Sequence, residues 1–475
     1  MKKFLILLAA MIMACTCLTG CFGPAIVVDD DYEVNLDIPY DVEGSITVGI
    51  SSVYTERGLI NALIEEYNQV YPNVEVTVKE VPDPYNNTLV RYWQSEPYEP
   101  GIMPDILLSN SLDMHVLIES GILLNLQKYI DESEAADLLD TGAFLPQYWK
   151  MGQEGFDGDQ YLLPRSADRV LTHINETRFN EVFAGYSEDE LPFTPIPGTY
   201  VPANGWTWQE FLDTCKIIRD WYDKNGRSEQ FLLDSSFDWE AVYNPVFRSF
   251  GAELIGENGE VLIDTPEVEE ALNFMYDCIE KRYVAPMGGT VQAGFDVGQG
   301  CMIFSSAHAD RFYTELNDQG YEYNVTSFPL ITGDLETSYI GTGVGGYGMS
   351  SLSRNKDLAW TFLRFMLTAD GQNALALGGM ATLPIRADMS DPSTNVWGQE
   401  LEEAGINMEA YAYGTERCVV TDFFIRSGEP LVYADLQEAV GTLVNNCLSG
   451  TRNAIQGQMA SIQMIMEEDI AHPEV

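Results

Sequence analysis

SITVGISSVYTERGLINALIEEYNQVYPNVEVTV, residues 45–78, decides the architecture. Ile46, Val48 and Ile50 alternate with Thr47 and Gly49, the period of a half-buried strand. From Gly58 onward, Leu59, Ile60, Leu63, Ile64, Tyr67 and Val70 recur at helical spacing and line one face. Tyr71-Pro72-Asn73 stops that helix. Val74, Val76 and Val78 then alternate with Glu75, Thr77 and Lys79 as a second strand. A strand, a helix and a strand in this order predict parallel pairing, hence an α/β domain. Pro104-Asp105-Ile106-Leu107-Leu108 follows as a short buried strand, then a helix carrying Met114, Val116 and Leu117 that Gly121 closes.

Upstream lies a segment of another kind. Lys2 and Lys3 precede the apolar run from Phe4 to Met13, and Leu18-Thr19-Gly20-Cys21 closes it. That layout is a secretory signal over residues 1–20, too short to span a bilayer as a stable helix. The small pair Thr19-Gly20 before Cys21 resembles a bacterial lipobox. The resemblance implies cleavage before Cys21 and a diacylglycerol on its thiol, and two buried chains suffice for stable anchoring. Residues 21–44 carry Asp29-Asp30-Asp31 and Asp37 without evident periodicity, and are expected to form an acidic, solvated tether. The protein is therefore expected outside the cytoplasm, lipid-anchored to the bacterial cell membrane.

The 475 residues are 45% hydrophobic, enough for large cores and two domains. The formal charge is -48, which becomes -48 - 2 = -50 without Lys2 and Lys3. So acidic a chain is not expected to bind nucleic acid, whose phosphates demand Lys and Arg, nor anionic headgroups through a basic patch. Past Cys21, the remaining cysteines are Cys215, Cys278, Cys301, Cys418 and Cys447. Their odd number leaves at least one unpaired within the chain, and no CxxC or zinc spacing occurs. Most fall in apolar helical patterns as small hydrophobes, so no disulfide framework is read.

Enzyme motifs are missing. His115, His173, His308 and His472 form no HExxH, and there is no GxSxG elbow. With 73 acidic residues, a carboxylate pair for glycoside hydrolysis is available on paper but stands in no motif. Asp157-Gly158 fails as a calcium loop because its sixth position is Leu162, and reads instead as a hairpin turn. Thr207 and Glu210 make a capping box, and Thr265-Pro266 starts another helix. Trp208 and Trp360 fall on the apolar stripes of helices and are expected in cores. The run Gly341-Thr342-Gly343-Val344-Gly345-Gly346 lacks the lysine of a phosphate loop and suits a hinge, which must absorb backbone rotation.

Six segments in order carry a resemblance: the helix-YP-strand of residues 66–78, PDILLSNSLD with ESGILLNLQKYID, GDQYLLPRSADRVLTHIN from Gly158, GWTWQEFL from Gly205, FDVGQGCMIFS from Phe295, and residues 350–365 around Asn355-Lys356 and Trp360. Together they resemble the extracellular solute-binding proteins of sugar ABC importers, the broad maltose-binding-protein group. The resemblance implies a two-lobed α/β fold of the periplasmic-binding-protein type. Residues 45–165 plus 345–386 would form lobe 1, and residues 166–344 plus 387–475 lobe 2, joined by hinge crossings. It implies a non-enzymatic monomer that captures a carbohydrate by hinge closure and delivers it to ABC permease transmembrane subunits, with no cofactor and no metal.

Motif positions then nominate the ligand contacts. Ser52 and Tyr54 follow the first strand, and Ser109, Asn110 and Asp113 follow PDILL. Arg165 and Asp168 lie at the first crossing. Trp239, Tyr243, Ser306, His308 and Tyr433 belong to the second lobe. A sugar presents hydroxyls and apolar C–H faces, so its cleft needs aromatic planes beside hydrogen-bonding groups. The group often carries Trp where this chain has Ser109 and His308, so a maltose-like ligand is not implied. A non-sugar solute such as a peptide or polyamine would suit the same fold, and a surface glycan hydrolase is the alternative of another class.

Overall fold

The computed structural model describes residues 32–471 apart from 53–55, 111–112, 157, 168, 235–236, 257–259, 285–293, 307–308, 343–344, 379–382 and 420–429. Within them the strands are, in chain order, β1 (Gly44–Ser51), β2 (Val74–Val81), β3 (Ile106–Asn110), β4 (Leu163–Pro164), β5 (Val170–Asn175), β6 (Leu233–Asp234), β7 (Met302–Ser306), β8 (Tyr323–Ser327), β9 (Ile340–Gly341), β10 (Gly345–Met349) and β11 (Cys418–Val419). The β-α-β unit read from residues 45–78 is present: β1 and β2 pair in parallel from Gly44 against Val74 to Ser51 against Val81, joined by the helix Glu56–Val70. That helix buries Leu59, Ile60, Leu63 and Tyr67.

Two sheets organise the molecule. The first has order β2-β1-β3-β10-β4, and β10 enters it from far downstream, antiparallel to β3 and β4. The second has order β6-β7-β5-β8, with β5 antiparallel to both neighbours and β6 parallel to β7. Between them, β9 and β11 form a short parallel pair. The second sheet's core is aromatic: Trp208 lies 4.5 Å from Phe211 and 4.6 Å from Phe274 between ring centroids, and Phe304 lies 4.8 Å from Phe328. Thr207 begins the helix Trp208–Lys224 with the expected capping box: its hydroxyl accepts from the Glu210 amide while the Glu210 carboxylate accepts from the Thr207 amide. Pro266 at the start of Pro266–Glu280 follows the Thr265 cap, as read. The segment 387–411 packs against both the helix Ala369–Gly378 and β8.

One sequence reading is revised and a second gains a packing role. Residues 32–43 are no free tether. Tyr32 is buried, stacked 5.3 Å from Tyr129, and its hydroxyl donates to the Asn125 carbonyl. Val34, Leu36, Ile38 and Val42 pack against the same core. The signal was there: Tyr32, Val34, Leu36 and Ile38 alternate with acidic or amide residues, which masked the period. The glycine run, read as a hinge, is also tightly packed. Its described members Gly341, Gly345 and Gly346 do not need a left-handed backbone. They are close approaches: a Cβ on Gly341 would lie 1.5 Å from the Ala241 carbonyl oxygen, and one on Gly346 2.3 Å from that of Leu163.

The five cysteines past Cys21 are free thiols, four of them buried, and burial pushes Cys278 and Cys301 up to about 12. These two stay protonated and packed. Among the described residues, no helix is long and apolar enough to cross a membrane. The anchor residue Cys21 lies outside the described residues.

Candidate ligand cleft

The register places one edge of each sheet at the crossings. In the first sheet β1 and β3 run parallel, so Ser51 and Asn110 end at the same edge. Gly345, opposite Asn110, starts β10 there, and Pro164, opposite Gly346, ends β4 there. In the second sheet Val170 opens β5 opposite Ser306, the last residue of β7, and Leu171 pairs with Ser327, the last of β8. The chain passes between these edges at residues 165–170 and again at residues 341–345. Ligands of open α/β sheets bind beyond strand carboxyl ends, so this junction is the candidate cleft.

Ser52 is exposed directly after β1. Ser109 is buried, its hydroxyl sealed from solvent without a partner. Asn110 and Asp113 bond reciprocally: the Asn110 amide donates to Asp113 Oδ2 at 2.8 Å, and the Asp113 backbone N–H donates to Asn110 Oδ1 at 2.8 Å. They order the turn into the helix Met114–Glu119. Arg165 is buried, and its guanidinium pairs with Glu56 and bonds Ser166. Ser306 offers its carbonyl oxygen to His173 Nε2 at 2.9 Å, and the other ring nitrogen of His173 meets the Tyr323 hydroxyl at 2.7 Å.

Trp239 caps the helix Glu240–Ser249 and is half-buried against the second core. Burial pushes the carboxyl of the next residue, Glu240, above the usual carboxylate range; the Trp239 indole opposes this, while the charges of Asp113 and Asp238 add to it. This helix start lies at the second crossing, where a Cβ on Gly341 would stand 1.5 Å from the Ala241 carbonyl oxygen. Tyr243 is different: helical spacing turns it, with Val246 and Phe247, into the second core, where it is only 2% exposed and edge-on to Phe247. Tyr433 belongs to the helix Pro430–Ser449. Tyr54, Asp168 and His308 lie outside the described residues. Sequence reasoning missed Glu56 and Glu240, which nothing but position distinguishes among 73 acidic residues. Among the described residues no three His, Cys, Asp or Glu side chains converge as a metal site.

The family model of the bacterial extracellular solute-binding protein matches residues 53–373. The maltotriose-binding protein of Pyrococcus abyssi (strain GE5 / Orsay) is 22% identical over 379 residues, 76% of this chain and 72% of the relative. Of solved structures, an ABC substrate-binding protein of Listeria monocytogenes in complex with cycloalternan superposes with a TM-score of 0.68 at 17% identity, covering 90% of this chain and 100% of that one. The GacH receptor of Streptomyces glaucescens, solved unliganded and with acarbose, gives 0.65 at 16% identity over 90% of this chain and 100% of its own. At such identities the solved structures speak for the two-lobed fold. The family match, spanning well over half of the sequence on that fold, makes this chain a member of the bacterial extracellular solute-binding proteins.

Proposed function

We propose that the chain is the sugar-binding subunit of an ABC importer, anchored outside the cell membrane through Cys21. Lobe 1 comprises residues 45–165 and 345–386, and lobe 2 residues 166–344 and 387–475. A sugar or oligosaccharide enters between them, the lobes close on it, and the closed monomer hands it unchanged to the permease. The observation that carries this reading is the half-buried Trp239, which opens the helix Glu240–Ser249 where Ala241 packs against Gly341 at the second crossing. An aromatic plane beside hydrogen-bonding carboxylates suits the C–H face and hydroxyl rim of a sugar. Relatives named for maltotriose, cycloalternan and acarbose support the ligand class. Ser52, Asn110 and Ser306 at the sheet edges supply further polar contacts, with Tyr54, Asp168, His308 and Tyr433 proposed on motif position.

Calorimetric titration with a panel of oligosaccharides, maltotriose among them, tests the reading. Saturable heat with the sugar recovered intact is expected. No binding across the panel refutes the sugar assignment, and a cleaved sugar makes the protein a hydrolase.

The anchor has its own test. Cys21→Ser is expected to shift the protein from the membrane fraction to the medium, or to leave the unprocessed precursor. A variant that is cleaved normally and still sediments with membranes removes the lipid from the account.

A further inference from the structure

We infer that Glu56 and Arg165 form a positioning clamp that fixes both crossing segments to the first lobe, so that the lobe moves as one body up to Arg165 and Gly345. This rests on the hinge closure proposed above. Arg165 Nη2 lies 2.6 Å from Glu56 Oε1, and Arg165 Nε lies 3.1 Å from Oε2. Both side chains are more than nine-tenths buried. The fork of the guanidinium matches the carboxylate in two places, a geometry that lysine cannot reproduce. A third guanidinium nitrogen, Nη1, donates to Ser166 Oγ. Tyr347 donates its hydroxyl to Glu56 Oε2 at 3.4 Å, and burial keeps that phenol protonated.

The pair joins elements that carry the crossings. Glu56 begins the helix Glu56–Val70, the core helix of the first lobe. Arg165 directly follows β4, and the chain stays against the first lobe through Ala167, whose N–H donates to the Leu383 carbonyl, before β5 opens at Val170. The Arg165 backbone N–H donates to the Gly345 carbonyl at 3.1 Å, and its own carbonyl accepts from Gln372 Nε2 at 3.2 Å. Gly345 opens the return strand β10, and a Cβ there would stand 3.3 Å from the guanidinium. The glycine thus admits the clamp as a close approach. Two strands that leave and re-enter the lobe are tied to each other and to one helix by a single buried cation.

A buried ion pair is weak grounds for stability, because desolvation offsets its attraction, and replacement of both partners by neutral groups can leave stability intact. That separates positioning from mere stabilisation. Hydrogen exchange of the ligand-free protein, read by mass spectrometry, is the test. The paired variant Glu56→Gln/Arg165→Met is expected to melt near the wild-type temperature. Its amides at residues 163–167 and 345–349 should exchange at least tenfold faster, while those of β2 stay within twofold. Arg165→Lys, which keeps the charge without the fork, should give a smaller acceleration at the same sites and serves if the paired variant does not fold. Unchanged exchange at the crossings overturns the clamp, and so does an equal acceleration in β2, which would mean general loosening. No sugar is present, so the outcome is independent of the sugar assignment; scattering with ligand decides the hinge itself.

Discussion

Trp239→Ala is expected to weaken sugar binding by roughly thirty-fold or more, about 2 kcal/mol, while barely moving the melting temperature. The indole is half-buried, and Trp239 caps a helix through its backbone. Its packing against the second core is partial. Truncation therefore leaves the helix Glu240–Ser249 intact: Val242 and Tyr243 still donate to the residue-239 carbonyl. What goes is the aromatic plane. Titration of both proteins with the tightest sugar of the panel checks this. Lost stability with undiminished affinity would assign Trp239 to the core and move the ligand elsewhere.

A larger effect of the opposite kind is expected at Trp360. It is 1% exposed, stacked 5.1 Å from Tyr129, and its indole N–H donates to Ser133 Oγ at 3.0 Å. Trp360→Ala removes a large buried ring and strands the serine hydroxyl. Such truncations cost about 3–5 kcal/mol through lost transfer energy and the cavity left behind. Denaturant unfolding should show a lowered midpoint, and affinity measured well below that midpoint should be retained. A cost under about 1 kcal/mol would contradict the packing described for the first core.

The contrast between the two tryptophans shows what the sequence carries. Trp360 recurs with Leu363 and Met366 on one helical stripe, so periodicity alone puts it inside; Trp239 stands outside any stripe. The β-α-β start was legible for the same reason, since residues 45–78 change period from two to 3.6 and back. β10 was not: its place between β3 and β4 depends on partners far away in sequence. Its glycines were legible as unusual, but their cause is close packing, against backbone at Gly346 and against the Arg165 side chain at Gly345, which no spacing rule encodes. The strap at residues 32–43 was hidden because acidic residues occupy its solvent side. Arg165 was singled out by motif as a ligand contact; in the structure it pairs with Glu56, one carboxylate among many. Tyr243 was named for the cleft by motif position, whereas the helix that Trp239 caps buries it in the second core.

Small-angle scattering of the protein with and without a saturating sugar tests the central claim, capture between two lobes. Contacts made by both lobes favour the closed form only to the extent that they bind it better than the open one. The account predicts a smaller radius of gyration on saturation, with the sugar recovered chemically unchanged. A calorimetrically saturated protein whose radius of gyration stays the same would contradict it.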